Sequence, residues 1–253
     1  MKRVYHPTDK LIYKHIQQDS VVRLIFLSGM GSPVRQQREC FFRRFALTRG
    51  ISYLALDYTQ YARQFKSTED FRIPTFLEKT EKILDNVPES KFLLFGACFG
   101  GLMGLQLSQR MPHRISGIVA TSPAYELPTF PWAEKADAFL RRKVQEKAMA
   151  GNISYAQLKR LAILHQLFIA TAKTIARIPP VKNYQGPITI FHGQNDPLIP
   201  VENSFRLQQA LENPNLRLQI IPHAKHTVAF DKEMKEPLSI LGQYLDNMKS
   251  PQK

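Results

Sequence analysis

A cysteine flanked by glycines follows an apolar stretch, residues 91–95, and precedes a second one, residues 102–107. The sequence between them is Gly96-Ala97-Cys98-Phe99-Gly100-Gly101. This pattern predicts a buried strand, a tight turn and a helix, with glycines where the strand and helix come too close for β-carbons. The unpaired N–H groups and the positive dipole end of the helix favour a thiolate. Cys98 is therefore expected to act as a nucleophile.

This arrangement resembles the nucleophile elbow of the α/β-hydrolase fold, which is Gly-x-Ser-x-Gly in most members. Here cysteine stands where serine is usual. Dienelactone hydrolases and polyhydroxyalkanoate synthases are similar in having cysteine at this position. Two other interpretations of Cys98 stay open at this point. One is a buried cysteine in a strand-to-helix turn, and the other is a serine replaced by cysteine to trap an acyl group.

Two later motifs supply the partners that such a nucleophile needs. Residues 192–200 read His-Gly-Gln-Asn-Asp-Pro-Leu-Ile-Pro, and many α/β-hydrolases have a similar His-Gly-x-x-Asp-x-x-x-Pro segment. The resemblance implies that Asp196 is the acid that fixes the catalytic histidine and stabilises its protonated form. It implies His226 as the base, with His223 in the same loop as the competing candidate. The order Cys98, Asp196, His226 is that of the family.

The resemblance also implies an oxyanion hole. In α/β-hydrolases, one N–H group comes from the loop after an early strand and the other from the residue after the nucleophile. These positions correspond to Met30, in the glycine-containing loop after residues 21–27, and to Phe99. Asp57 also follows a predicted strand. We interpret it as structural, since an Asp-Tyr pair at this place is common in the resembling family without being the catalytic acid.

Strands and helices alternate along most of the chain. Apolar segments predict strands at 11–16, 21–27, 51–57, 91–95, 115–120, 187–192 and 216–221. Helical patterns cover 34–48, 71–87, the segment after Cys98, 201–211 and 231–248, whereas residues 58–70 suggest a polar loop. This order predicts a mostly parallel sheet with helices on both faces. The expectation is an α/β-hydrolase fold, with 1–253 as a single domain.

An interval of about 65 residues separates the fifth and sixth predicted strands, too long for one crossover. It contains several prolines and two helix-like stretches, and the resemblance implies that residues 123–186 form a helical cap over the site. Apolar side chains of this cap could bind substrate or simply pack its helices. The candidates for substrate binding are Phe130, Trp132, Leu164 and Phe168.

The composition limits the partners. The net charge is +14, which suggests an acidic membrane surface, an acidic protein or a phosphorylated carrier as a neighbour, although a solvated basic face is an equal alternative. Nucleic acid is not expected as a partner. The two cysteines do not form a disulfide framework, and a cytoplasmic location is expected because no apolar signal segment begins the chain. Zinc spacing is lacking, so neither a metal nor another cofactor is predicted.

These motifs together predict an acyl hydrolase, a thioesterase or esterase with a Cys-His-Asp triad that acts on an apolar acyl ester or thioester. A looser similarity extends to small hydrolases of the palmitoyl-protein thioesterase and acyl-glucuronide esterase group. It rests on residues 196–200 and the late His-x-x-His. Three alternatives stay open: an acyltransferase with the same triad, a dienelactone-type lactone hydrolase, and a non-catalytic binding protein on this fold. Acyl length, leaving group and oligomeric state are not encoded in these motifs.

Overall fold

The computed structural model describes residues 11–30, 37–62, 64, 72–125, 138, 141–142, 145–146, 149, 183–226 and 235–249. The strands are β1 Ile12–Ile16, β2 Val22–Leu27, β3 Ser52–Leu56, β4 Lys91–Ala97, β5 Ile115–Thr121, β6 Ile188–Gly193 and β7 Leu216–Ile221. The helices in these ranges are α1 Gln37–Thr48, α2 Tyr58–Ala62, α3 Ile73–Asp85, α4 Phe99–Arg110, α5 Glu202–Leu211 and α6 Lys235–Lys249.

The strands form one seven-stranded sheet in the order β1-β3-β2-β4-β5-β6-β7. β1 pairs antiparallel with β3, and every other neighbouring pair is parallel. This architecture confirms the predicted α/β-hydrolase fold with its mostly parallel sheet. β2 lies inside the sheet, as its apolar sequence predicts. β1 is next to it in the chain but lies beyond β3, at the edge of the sheet.

Helices cover both faces of the sheet, and strand residues alternate between two apolar clusters. In β2, Leu24 and Phe26 belong to one cluster, which includes residues of α1 and α6. Ile25 and Leu27 belong to the other, which includes residues of α3, α4 and α5. Because β2 is buried on both sides, its sequence is a continuous apolar run with one arginine, rather than an alternating one.

The predicted polar loop over residues 58–70 is wrong at its start, where the structure has helix α2. Asp57 begins this helix, since its Oδ1 accepts the N–H of Gln60 at 2.9 Å. The helix is short but well packed, with Tyr58, Thr59 and Ala62 buried. Asp57 is itself 3% exposed, and its contact with Gln60 is that of a helix cap.

Most of the predicted cap, residues 123–186, lies outside the described residues. Within it, the described positions 138, 141–142, 145–146 and 149 are helical and exposed. Pro123–Tyr125 continue directly from β5, and Ala124 and Tyr125 are buried. Among the helices described, none combines the length and the apolar sequence needed to cross a membrane.

Candidate active site

Cys98 occupies the sharp turn between β4 and α4. Its backbone is in the left-handed region, with φ 52°, a conformation that costs a non-glycine residue free energy and is concentrated at functional sites. The turn is held by backbone hydrogen bonds: Cys98 N–H donates to the Thr121 carbonyl at 2.8 Å, and the Cys98 carbonyl accepts from Leu102 and Ala124 at 3.1 Å each. The thiol therefore stands at the beginning of α4, at the carboxyl edge of the sheet.

Two glycines allow the turn to be this tight. A β-carbon on Gly96 would collide with the backbone of Gly100, and a β-carbon on Gly100 would collide with the backbone of Leu27 and Ser28. Helix α4 therefore lies directly against the end of β2 as well as against β4. The glycine spacing in the sequence predicts this close approach, and the structure confirms it.

The loops after β6 and β7 bring Asp196 and His226 to the same edge of the sheet. His226 Nδ1 lies 2.8 Å from Asp196 Oδ2, and the Cys98 side chain is close enough to the His226 ring to raise its pKa. Since Nδ1 contacts the carboxylate, Nε2 is the nitrogen left for sulfur. The His226 side chain is 17% exposed and that of Asp196 is fully buried. Three residues far apart in the sequence thus meet at one place, with the imidazole hydrogen-bonded to the carboxylate and next to the sulfur.

The carboxylate of Asp196 is surrounded by donors. Its Oδ1 accepts the N–H groups of Leu198 and Ile199 at 2.8 and 2.9 Å, while Oδ2 faces His226 and also His192 Nε2, at 3.3 Å. Burial opposes the negative charge, but hydrogen bonds from His192, His226 and the Ile199 N–H hold the pKa of Asp196 well below its ordinary value. The acid is therefore ionised throughout the neutral range.

The protonated form of His226 is strongly favoured. Burial alone would lower its pKa, but negative charge on Cys98, the hydrogen bonds with Asp196 and Cys98, and the charge of Asp196 together raise the pKa of His226 to about 10. A histidine that lies between a carboxylate and a thiol is the arrangement that nucleophilic catalysis by sulfur uses.

The loop predicted to supply an oxyanion donor lies against the elbow. A β-carbon added at Gly29 would lie 3.5 Å from Cys98 Cβ, and the next residue, Met30, is 7% exposed. Phe99, the other predicted donor, is the first residue of α4. The residue after Gly29 and the residue after Cys98 thus both lie at the elbow, and their role as oxyanion donors stays a prediction.

The remaining site candidates from the sequence are His223, as the competing base, and four residues predicted to bind substrate. His223 is exposed, with φ 60°, and it is His226 that contacts Asp196. The four candidates for substrate binding all lie outside the described residues: Phe130, Trp132, Leu164 and Phe168. Sequence reasoning gave no role to His192, although it stands in the same motif as Asp196. Its position four residues before the acid was the available signal.

Comparison with protein families agrees with this geometry. The Hydrolase_4 family, described as "Serine aminopeptidase, S33", matches residues 63–233. The chain belongs to this family. It is therefore a hydrolase of the α/β-hydrolase superfamily, and Cys98 lies within the matched segment. The family's description refers to serine, whereas the elbow of this chain holds a thiol. Among curated proteins, none matches the sequence.

Solved structures share the fold of this serine aminopeptidase family member at low sequence identity. Mouse alpha/beta hydrolase domain-containing protein 10 is 15% identical, with a TM-score of 0.68 over 98% of this chain and 100% of that one. A structure reported with carboxylesterases of the thaumarchaeon Nitrososphaera gargenis is also 15% identical, with a TM-score of 0.70 over 98% and 99% of the two chains. An esterase from Pyrococcus furiosus is 18% identical, with a TM-score of 0.63 over 92% and 84%.

Proposed function

We propose that this hydrolase is a thioesterase or esterase that cleaves apolar acyl thioesters or esters through an acyl-Cys98 intermediate. The observation that supports it most directly is the position of the His226 ring, which hydrogen-bonds Asp196 Oδ2 at 2.8 Å and lies next to the Cys98 side chain. A nucleophile joined to a base, which is joined in turn to an orienting carboxylate, is the arrangement that acyl transfer requires.

In the first half of the reaction, His226 holds the proton of the Cys98 thiol and the thiolate attacks the substrate carbonyl carbon. The carbonyl oxygen becomes an oxyanion, which the N–H groups of Met30 and Phe99 stabilise. When the carbonyl re-forms, the bond to the leaving group breaks. The leaving alcohol or thiol takes its proton from His226, and the acyl group remains on Cys98 as a thioester.

In the second half, His226 removes a proton from water, and the resulting hydroxide attacks the acyl-Cys98 carbonyl. The second oxyanion uses the same two N–H groups. Its collapse releases the carboxylic acid and returns the sulfur as a thiolate beside protonated His226. Asp196 stays ionised throughout and stabilises the imidazolium in each step.

The sulfur nucleophile favours some substrates over others. Acyl transfer from a thioester to Cys98 exchanges one thioester for another, so it is nearly balanced in free energy, and an activated ester transfers its acyl group downhill. An amide would have to be converted into a less stable thioester. The proposed substrates are therefore thioesters and activated esters, either as small molecules or on an acylated protein, rather than peptides.

The test is acyl transfer to Cys98 itself. The purified protein is incubated with nitrophenyl esters and acyl thioesters of increasing chain length, and both turnover and intact mass are measured. We expect hydrolysis and a transient mass increase equal to one acyl group, both lost in Cys98→Ala. The matched control is Cys40→Ala, since Cys40 is the other free cysteine and is exposed. This variant is expected to retain both the hydrolysis and the transient acyl mass increase.

The outcomes separate the proposal from its alternatives. Faster transfer to an added alcohol or thiol than to water indicates an acyltransferase. Preference for small polar lactones indicates a lactone hydrolase. A folded protein that neither turns over any member of the series nor gains an acyl mass contradicts the proposal and leaves a binding protein on a hydrolase fold.

A further inference from the structure

We propose that His192 is a positioning residue that holds Asp196 in the orientation required by His226, a role that rests on the proposed function. His192 lies in β6, four residues before Asp196, and is completely buried. Its ring makes three polar contacts: Nδ1 lies 2.6 Å from Ser204 Oγ, and Nε2 lies 2.9 Å from the Ile199 carbonyl and 3.3 Å from Asp196 Oδ2.

These partners determine where the ring proton lies. A carbonyl oxygen can only accept, so the contact with Ile199 requires hydrogen on Nε2. In the neutral ring, Nδ1 then accepts the hydroxyl proton of Ser204, a residue of α5 that is also fully buried. The Nε2–H group is thereby directed towards both Ile199 and Asp196. Ser204 fixes the ring, and the ring supplies one donor to the acid and its loop.

Ile199 links His192 to the second oxygen of the Asp196 carboxylate. Its N–H donates to Asp196 Oδ1 at 2.9 Å, and its carbonyl accepts from His192 at 2.9 Å. One imidazole therefore holds both the carboxylate and the loop segment that binds the other carboxylate oxygen. Without it, the buried Ile199 carbonyl loses a partner and Asp196 can rotate away from His226.

The decisive comparison is His192→Leu with His192→Gln. Leucine fills space without a donor, whereas the glutamine amide nitrogen can donate from near the position of Nε2. We expect His192→Leu to lower kcat by about tenfold to a hundredfold, the usual cost of a small displacement of a reacting group, with KM changed less than about twofold. His192→Gln is expected to recover most of this loss. Ser204→Ala removes only the contact that orients the His192 ring, so its kcat is expected to lie between those of the wild type and His192→Leu.

A second measurement separates positioning from packing. The NMR titration of His226 in the resting protein should shift to lower pH in His192→Leu and return towards wild type in His192→Gln, because a displaced Asp196 stabilises the imidazolium less. This measurement needs no substrate, so it decides the role of His192 even if the proposed hydrolysis fails. In an Asp196→Asn background, His192→Leu should cause little further loss of kcat.

Three results would overturn the role of His192. The first is wild-type kcat together with an unchanged His226 titration in His192→Leu. The second is a change confined to KM. The third is a full additional loss of kcat in the Asp196→Asn background, since the residue would then act independently of the acid. If His192→Leu fails to fold, His192→Gln and Ser204→Ala carry the same comparison.

Discussion

The ionisation of His226 links the three residues of the candidate site. Its pKa is raised to about 10, so the folded protein binds a proton that the unfolded chain releases near the ordinary value of 6.5. A raised pKa means that the stabilising contribution is complete below about 6.5 and is lost as the pH rises through about 10. At neutral pH the histidine is therefore charged, and this charge is complementary to that of Asp196.

Removing the sulfur should return His226 towards ordinary behaviour. In Cys98→Ala, the charge that contributes to the raised pKa is gone, so the NMR titration midpoint of His226 should fall. It should stay above 6.5, because the hydrogen bond with Asp196 is retained. The pH range in which the protein loses stability should move downward with it. In Cys40→Ala, where Cys98 is intact, His226 should titrate as it does in the wild-type protein. An unchanged His226 midpoint in Cys98→Ala would mean that the ring and the sulfur do not interact.

The residues of the candidate triad could be predicted from the sequence because recognisable motifs contain them. Cys98 is marked by its glycines, and Asp196 and His226 follow predicted strands in the family's order. His192 was not assigned a role, because its partner Ser204 is in a helix that comes later in the chain. Contacts between loops and helices follow no periodic pattern, so the residues that position the acid could be assigned only from the structure.

At the level of elements, the loop after β2 is fixed by the segment that begins α2. Ser28 N–H donates to the Leu56 carbonyl at 3.2 Å, and Ser28 Oγ accepts from Tyr58 N–H at 3.0 Å. Thr59 Oγ1 donates to the Gly29 carbonyl at 3.2 Å. The described peptide bonds are trans, so the Met30 N–H points opposite to that carbonyl. Thr59 therefore helps to fix the direction of a proposed oxyanion donor.

This arrangement predicts a catalytic effect of Thr59→Val. Without the hydroxyl, the Gly29–Met30 peptide can rotate, and we expect kcat to fall about tenfold with little change in KM, less than the loss of a whole oxyanion donor. The matched control is Thr80→Val. Thr80 is equally buried, but its hydroxyl donates to the Phe76 carbonyl at 2.7 Å and lies 3.1 Å from the Tyr58 hydroxyl, and neither partner belongs to the Gly29–Met30 peptide. Equal kcat losses in the two variants, or none in Thr59→Val, would contradict the prediction.

The sequence predicted the strands and the sheet class well, since buried parallel strands are apolar runs bounded by glycine, proline and polar residues. Two local features were missed. β1 pairs with β3 although a short turn joins it to β2, because strand order depends on tertiary packing that no local segment encodes. α2 is too short to show a helical pattern in the sequence, although Asp57 and Gln60 have the spacing of a helix cap.

At the scale of the whole molecule, the net charge of +14 is the property that no element of the site explains. Part of it lies on exposed arginines, among them Arg44 on α1 and Arg141 and Arg142 within the predicted cap. An excess of positive charge raises the local concentration of anionic partners and speeds their encounter. We propose that an acidic membrane surface is such a partner, since such a surface could carry an acyl substrate to the protein.

Vesicle binding tests this proposal. The protein should sediment with vesicles containing phosphatidylserine at low salt, bind them less at high salt, and ignore vesicles of phosphatidylcholine alone, because exposed charges are screened beyond about 8 Å at physiological ionic strength. Replacing Arg141 and Arg142 by glutamine should weaken binding more than the same replacement of Arg44, on α1, and Arg49, just after α1, although both variants remove equal charge. Equal weakening would indicate attraction by net charge without orientation. Binding that is absent at low salt, or equal on neutral vesicles, would exclude an acidic membrane as the partner.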